Sequence, residues 1–172
     1  MTDLLFEGSA VFSADRRFRY RLDRRVQASG FVFLFSGING STAGESEDDQ
    51  TTKKWRGFTL RHGGSRYIAI NPFAYTATDV RQLALAADPI GPDNDRHIQD
   101  AITEADVLVP CWGNRSKVPQ RLQYRFADML ARMVASGKPI MVFGLTKSGD
   151  PTHPLMLGYE TKLQPWMPPV AP

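Results

Sequence analysis

The chain has 172 residues, of which 42% are hydrophobic and 23% charged, and this balance fits one globular domain spanning residues 1–172. Its formal net charge of +3 permits nucleic-acid binding without requiring it. The single cysteine, Cys111, excludes an intrachain disulfide and a cysteine-ligated zinc or iron–sulfur site. No apolar run approaches the roughly twenty residues that cross a bilayer, so we expect a cytoplasmic protein.

The N-terminal segment predicts a β-hairpin. Residues 11–25 alternate apolar and basic side chains around the turn Ser13-Ala14-Asp15, so one face should pack on the core. The other face would carry the arginines of this segment: Arg16, Arg17, Arg19, Arg21, Arg24 and Arg25. A cluster of this kind is typical either of a solvated surface or of one that contacts phosphates, and the sequence leaves both interpretations open.

Short apolar runs alternate with helical patterns along the rest of the chain. Strands are predicted at 31–35, 67–71, 107–111 and 140–143. Helices are predicted at 51–61, at 80–87 behind a Thr78-Asp79 cap, at 94–104 behind Asp93, and from Pro119 to Gly137. This order predicts a three-layer α/β/α domain with a central four-stranded parallel sheet, to which the N-terminal hairpin is added.

Polar residues follow each predicted strand. The four segments are Gly37-Ile38-Asn39-Gly40-Ser41, Asn71-Pro72-Phe73, Trp112-Gly113-Asn114 and Thr152-His153-Pro154-Leu155. Ligands of open parallel sheets bind outside the carboxyl ends of the strands, so these segments should share one site. The glycines match neither a phosphate loop nor a dinucleotide fingerprint, and no acidic or histidine grouping has metal-ligand spacing. We therefore expect no cofactor and no metal.

The ordered segments resemble the uracil-DNA glycosylase superfamily. Its mismatch-specific branch has a Gly-Ile-Asn-Pro-Gly motif after the first core strand, where this chain has Gly37-Ile38-Asn39-Gly40-Ser41. An asparagine at the next strand end, a Trp-Gly pair and a late His-Pro pair correspond to Asn71, Trp112-Gly113 and His153-Pro154. Over nearly its full length the chain is more similar to a bacterial and phage family, domain of unknown function 1643, with its Asp-Pro-Ile-Gly-Pro-Asp-Asn-Asp turn.

The resemblance implies that Asn39 holds a water through its amide oxygen, that Asn71 bonds to the edge of a base, and that His153 stabilises the departing base. Phe73, or as second choice Trp112, would give the aromatic face for a flipped base. The remaining candidate contacts are Gly37, Ile38 and Ser41 to the base and Leu155 to DNA, and the arginine cluster adds Arg16, Arg17 and Arg19 as candidate DNA contacts. Alternatively, the two asparagines satisfy backbone groups in turns and the histidine caps its loop.

The chain departs from the superfamily pattern at several positions. Gly40 replaces a proline, and the aspartate and tyrosine of the uracil-specific Gly-Gln-Asp-Pro-Tyr-His motif are missing. That tyrosine excludes a substituent at the pyrimidine 5-position, whereas residues 41–44 are small, so we expect a hydroxymethylated or glucosylated pyrimidine of phage DNA as substrate. Without the aspartate, a carboxylate from elsewhere could assist the water; the candidates are Asp48, Asp49, Asp88 and Asp95.

Together these features predict a monomeric, monofunctional DNA glycosylase that acts on double-stranded DNA, leaves an abasic site and serves in anti-phage defence. Leu155 and Met156 lie where the superfamily keeps the side chain that fills the gap left by a flipped nucleotide. Two alternatives stay open. One is a hydrolase of free modified nucleosides or nucleotides, and the other is a non-catalytic module that binds a modified base.

Overall fold

The computed structural model describes residues 8–40 and 48–169. Its strands are β1 (Gly8–Phe12), β2 (Arg19–Arg25), β3 (Phe31–Ser36), β4 (Gly64–Ile70), β5 (Val107–Pro110), β6 (Met141–Val142) and β7 (Gln164–Pro165). Its α-helices are α1 (Gln50–Arg61), α2 (Asn94–Glu104) and α3 (Tyr124–Ala135), with 3₁₀ turns at Val80–Ala84, Arg115–Lys117, Gln120–Leu122 and Pro154–Met156. Within these ranges no helix combines the length and apolar character that a membrane span requires.

Five strands form a mixed sheet in the order β1-β2-β4-β3-β5. β1 and β2 form the predicted antiparallel hairpin, and β2 also pairs antiparallel with β4, so the hairpin extends the sheet. β3 pairs in parallel with β4 on one side and with β5 on the other. The carboxyl ends of β3, β4 and β5 therefore lie side by side at one edge of the sheet.

The predicted four-stranded parallel sheet is not formed. Ile140 makes only an isolated parallel bridge to Leu108, while Met141 and Val142 pair antiparallel with β7 in a separate two-stranded sheet. At that bridge the backbone N–H of Leu108 donates to the Pro139 carbonyl at 2.9 Å, and on the other side the backbone N–H of Trp166 donates to the Ile140 carbonyl at 2.9 Å. Three strands are parallel to one another, and the fourth apolar run stays beside β5 through one bridge while its strand residues pair with β7.

The predicted helix at 80–87 is also wrong, because only the 3₁₀ turn Val80–Ala84 forms. Asp79 caps this turn as expected, since its side chain accepts from the backbone N–H of Arg81. The run is short, and an isolated helix of this length is marginal without packing along its whole face. Pro89 disfavours helical backbone at Asp88, so any helix in this run would have to end before that residue.

Helices cover both faces of the sheet. Alternation along β4 sends Ile68 and Ile70 into a cluster with residues of α2 and α3, and sends Tyr67 and Ala69 into a cluster with Trp55 and other residues of α1. Cys111 is fully buried in the second cluster, and burial raises the pKa of its thiol to about 12. A thiol of this kind stays protonated, so Cys111 fills space in the core.

A buried arginine joins α2 to α3. The side chain of Arg125 is 5% exposed; it donates from Nη2 to Asp95 at 2.7 Å and lies 3.8 Å from Asp128. Asp95 also accepts from Arg132 at 3.0 Å. Burial opposes ionisation of Asp95, but the hydrogen bond from Arg125 and the charges of both arginines lower its pKa. Asp95 is therefore the principal carboxylate partner of the Arg125 guanidinium, which is largely shielded from solvent.

Replacing Asp95 with alanine should lower the free energy of unfolding by about 2 kcal/mol, because a charge-assisted hydrogen bond to a buried group is lost. Asp128→Ala is the matched control: Asp95 and Asp128 are 48% and 47% exposed, and the more distant carboxylate should contribute less than about 0.5 kcal/mol. Urea denaturation measures both. The Asp95 contribution should be present at neutral pH and vanish as the pH falls through its lowered pKa. Equal losses in the two variants would contradict this assignment.

Candidate functional site

The segments that follow β3, β4 and β5 meet the His153 loop in one cleft of about 640 Å³. The predicted site residues among its lining are Arg19, Gly37, Ile38, Asn39, Asn71, Trp112, His153 and Leu155. Ser41 lies outside the described residues. Side chains that are far apart in the sequence are thus collected at one edge of the sheet, as the parallel order of the strands predicted.

Asn39 is held by its amide nitrogen. Nδ2 donates to the carbonyl of Gly40 at 3.1 Å and to that of Ala77 at 2.8 Å, while a backbone bridge pairs Asn39 with Phe73. The interpretation that Asn39 satisfies backbone groups is therefore correct. The same two bonds fix the amide so that Oδ1 is its remaining acceptor, which leaves a half-buried hydrogen-bond acceptor at the cleft.

Asn71 presents a buried acceptor without a donor. The residue is 3% exposed, and among the described residues Oδ1 has no hydrogen-bond partner. A Cβ atom on Gly37 would lie 3.0 Å from this oxygen and 3.7 Å from the Trp55 ring, so the absence of a side chain at position 37 leaves space beside it. An unpaired buried oxygen costs about 1–3 kcal/mol, which a ligand that donates a hydrogen bond would recover.

Two polar side chains fix the segment that carries Asn71. Asn94 donates from Nδ2 to the carbonyls of Asn71 at 3.0 Å and Pro72 at 3.2 Å. Arg125 donates to the Pro72 carbonyl from Nε at 3.2 Å and from Nη2 at 3.1 Å. The next backbone N–H, that of Phe73, donates to Ile38 at 3.2 Å. The ends of β3 and β4 are therefore held in register with each other.

His153 is a neutral donor. Its Nδ1 accepts from the backbone N–H of Leu155 at 3.2 Å, so the ring proton of the neutral form is on Nε2. Burial and the charge of Lys117 lower the pKa of His153, and the charge of Asp49 opposes them. The histidine caps the 3₁₀ turn Pro154–Met156, as the alternative interpretation predicted, and this bond also determines which ring nitrogen carries the proton.

The aromatic residues are arranged differently from the prediction. Phe73, the first choice for a stacking face, is fully buried and packs edge-on against Phe126 at 6.1 Å between ring centroids. It does not line the cleft. Trp112 does, although it is 1% exposed and its Nε1 has no partner among the described residues. Trp55 also lines the cleft and was not predicted, because its helical spacing on α1 indicates only a core position.

The arginine cluster does not form one surface. Arg19 and Arg24 are 3% and 2% exposed, and Arg21 pairs with Asp23 and Glu104. Arg16 lies over the Phe12 ring, and Arg17 forms an exposed ion pair with Asp15. Of the predicted DNA contacts at this hairpin, only Arg16 and Arg17 are exposed, and neither belongs to the described lining of the cleft.

Arg19 instead lines the cleft as a buried cation. Burial lowers its pKa to about 10, opposed by the charge of Asp49, so the guanidinium stays positive at neutral pH. A Cβ atom on Gly40 would lie 3.3 Å from Arg19 Cβ and 3.4 Å from its Nε. Gly40, which replaces the proline of the related motifs, therefore lies where Arg19 leaves little room for a side chain.

Of the four candidate carboxylates, only Asp49 lines the cleft. Asp48 accepts from Arg24 at 2.8 Å and Arg56 at 2.9 Å, and Asp95 pairs with α3. Asp88 accepts from the backbone N–H groups of the following turn. Charged residues that were not predicted also line the cleft, namely Asp79, Arg81 and Lys117. Asp79 was recognised only as a helix cap, because its position beside the cleft depends on how the loop after β4 folds back.

Among residues 8–40 and 48–169, no group of three His, Cys, Asp or Glu side chains is placed to hold a metal ion. The cleft supplies acceptor amides, a neutral imidazole and charges of both signs. The fold and the cleft together define a mixed α/β protein whose site lies at the carboxyl ends of its parallel strands.

The chain belongs to the family described as Protein of unknown function (DUF1643), whose sequence profile matches residues 19–155. This confirms the resemblance to domain of unknown function 1643, and the resemblance to the uracil-DNA glycosylase superfamily stays a prediction. No curated protein and no solved structure matches the chain. The matched segment runs from Arg19 to Leu155 and therefore includes every described residue that lines the cleft.

Replacing Lys117 with glutamine should raise the pKa of His153, because one of the two influences that lower it is removed. NMR titration of the histidine ring proton measures the change, with His153→Gln used to assign the resonance. Lys162→Gln, an exposed lysine outside the described cleft lining, is the control and should leave the titration unchanged. A lower pKa in the Lys117 variant would contradict the described electrostatics.

Proposed function

We propose that this protein is a DNA glycosylase that hydrolyses the N-glycosidic bond of a flipped, 5-modified pyrimidine in a three-layer α/β/α frame of the uracil-DNA glycosylase type. The observation that carries the proposal is the joint presence, in one cleft, of a fixed acceptor amide, a buried unpaired acceptor and a neutral imidazole donor at Asn39, Asn71 and His153. Hydrolysis of a phosphoanhydride or transfer of a phosphoryl group would call for different groups, such as a phosphate loop.

The chemistry of glycosidic hydrolysis matches these groups. Positive charge develops on the sugar as the C1′–N bond breaks, and the electron pair of that bond leaves with the base. A neutral histidine that donates from Nε2 stabilises the negative base without first having to be protonated by solvent. The Asn39 amide oxygen accepts a hydrogen bond from the water that attacks C1′. Each residue is held for this role by the backbone bond it already makes.

Asn71 supplies the means of recognising the base. Its unpaired Oδ1 needs a donor, and a pyrimidine offers one at N3 in the uracil type or at the exocyclic amine in the cytosine type. The cleft volume of about 640 Å³ lies within the range of small-molecule sites, so a nucleoside with a substituent on the base is a reasonable occupant. We retain the hydroxymethylated or glucosylated pyrimidine of phage DNA as the substrate, and anti-phage defence in the cytoplasm as the role.

DNA contacts are proposed for the exposed residues around the cleft. Lys117 is exposed and lines the cleft, and Leu155 and Met156, two and three residues after His153, are 38% and 90% exposed. An exposed apolar side chain at this position can fill the gap that a flipped nucleotide leaves in the stack. Arg16 and Arg17 are exposed at the tip of the hairpin, where phosphates could reach them.

A hydrolase of free nucleosides or nucleotides is the second candidate. The observation in its favour is the loss of the expected arginine surface, because Arg19 and Arg24 are buried and Arg21 is paired. An enzyme for small substrates uses the same cleft and needs no surface for flanking phosphates. Salt separates the two candidates, since duplex binding through several phosphate contacts weakens steeply as the salt concentration rises.

Base release should depend on Asn39 and His153. The assay uses duplexes containing cytosine, uracil, hydroxymethylcytosine or glucosylated hydroxymethylcytosine, with alkali cleavage at abasic sites and with the matching free nucleosides in parallel. Asn39→Ala and His153→Gln should each lower the rate at least about a hundredfold, because each removes a group that acts at the reacting bond. Asn114→Ala and His97→Gln, which replace residues outside the described cleft lining, should leave the rate unchanged.

Release from DNA that is confined to a modified base and weakened by salt would support the first candidate. Release only from free nucleosides would favour the second. Intact substrates in every lane, together with saturable binding of a modified base, would replace both by a non-catalytic binding module. Equal release of uracil and of every modified base would refute the substrate part of the proposal.

Gly37→Ala should raise KM about ten- to a hundredfold, because a methyl group 3.0 Å from Asn71 Oδ1 would obstruct the donor of the base. The effect should vanish in an Asn71→Ala background, where no oxygen is left to obstruct, and a double-mutant cycle measures this coupling. Thermal unfolding of each variant reports whether the fold is kept. Additive effects of the two substitutions would contradict the proposed contact.

A further inference from the structure

We propose that Asp150 positions His153 for its contact with the departing base, an inference that rests on the proposed hydrolysis of an N-glycosidic bond. Asp150 is the one buried acidic residue in the described part of the chain, and it is 1% exposed. It does not belong to the described lining of the cleft, so it would act on the reaction through other residues. A buried carboxylate is costly unless it is paired and hydrogen-bonded, so its partners indicate what it holds together.

Both carboxylate oxygens of Asp150 accept from one residue of the loop that follows β5. Oδ1 accepts from Nε of Arg115 at 2.7 Å, and Oδ2 accepts from the backbone N–H of Arg115 at 3.1 Å. The Ser148 hydroxyl also donates to Oδ2, at 3.4 Å. The Arg115 side chain is 48% exposed, so the buried carboxylate is the better-enclosed member of the pair. Asp150 therefore ties its own loop to the loop after β5.

Backbone bonds reinforce this connection on both sides of the segment that leads to His153. The N–H of Gly113 donates to the Pro151 carbonyl at 2.8 Å. The N–H of Thr152 donates to the Gly144 carbonyl at 3.0 Å. Gly113 has a φ of +74°, and a Cβ atom there would lie 3.4 Å from His153 Cβ. The backbone of the loop after β5 therefore lies directly against the histidine.

The connection matters for the cleft because each of the two loops contributes to its lining. Trp112 comes from the end of β5, and His153 comes from the loop that begins at Asp150. Nδ1 of His153 accepts from the backbone N–H of Leu155, so the place of its Nε2–H depends on where the loop holds the ring. A misplacement of about 1 Å can lower a rate about a hundredfold. The bonds of Asp150 therefore bear on catalysis although the carboxylate lies outside the described lining.

Replacing Asp150 with asparagine tests this role, because both carboxylate oxygens accept from Arg115. In either orientation of the asparagine amide, its NH2 group would face a donor of Arg115, so one bond is lost with little change in size. Asp150→Asn should lower kcat about ten- to a hundredfold. KM should change less than about threefold, since Asn71 still binds the base. Arg115→Ala keeps the backbone bond, should lower kcat in the same direction, and serves if the first variant fails to fold.

A double-mutant cycle separates positioning from a general structural role. If Asp150 acts through His153, Asp150→Asn should change kcat less than about twofold in a His153→Gln background. A general structural role would lower kcat by the same factor in both backgrounds.

Proton NMR reads the position of the histidine without any substrate. A nuclear Overhauser effect between the Gly113 and His153 protons should be present in the wild-type protein and weaken in Asp150→Asn. Asp23→Asn is the matched control, because Asp23 pairs with Arg21 at 2.7 Å and with Arg66 at 3.0 Å and lies outside the described cleft lining. It should leave this effect, kcat and KM unchanged.

The outcomes separate this role from the proposed function. Release by the wild-type protein with an unchanged kcat in a folded Asp150→Asn protein would overturn the positioning role alone. Equal losses of kcat in the two backgrounds, or an unchanged nuclear Overhauser effect in Asp150→Asn, would also overturn it alone. Absence of release by the wild-type protein from every substrate would overturn the proposed function and this role together.

Discussion

The carbonyl oxygen of Pro72 is the point on which the arrangement of the site depends. It accepts from Asn94 Nδ2 and from two nitrogens of Arg125, and all three residues are buried. Buried carbonyls need partners, so α2 and α3 are both tied to the turn that follows β4. The adjacent Phe73 N–H then bonds to Ile38, which transmits the constraint to the segment after β3. The positions of Asn39 and Asn71 at the cleft therefore depend on how α2 and α3 pack.

Backbone bonds also give the site residues their chemical character. Both N–H groups of the Asn39 amide donate to backbone carbonyls, so its Oδ1 is the atom available to accept a hydrogen bond from a ligand. His153 accepts a backbone N–H at Nδ1, so a donor is what remains on its ring. Asn71 is the exception, since its Oδ1 has no donor among the described residues. The structural and functional interpretations of these side chains are therefore compatible, and in two cases the structural bond selects the atom available to a ligand.

Local patterns predicted β3, β4, β5, α1 and α2 within a few residues, because their apolar runs are bounded by clear turn and capping residues. The convergence of the strand ends followed from parallel order. Three features could not be predicted, since each depends on partners distant in the sequence. The fourth apolar run pairs with Gln164–Pro165, the Phe73 ring packs on α3, and Arg24 is buried against Asp48. Long-range pairing overrides local pattern in each case.

The close approach of Gly40 to Arg19 links two parts of the chain that composition alone would treat as independent. Residue 19 belongs to a hairpin strand and residue 40 to the loop that carries Asn39, yet each limits the volume open to the other. A side chain acquired at position 40 would require Arg19 to shift by a few tenths of an ångström. The two positions are therefore coupled sterically, and the arginine that lines the cleft also limits which side chain position 40 of this chain can carry.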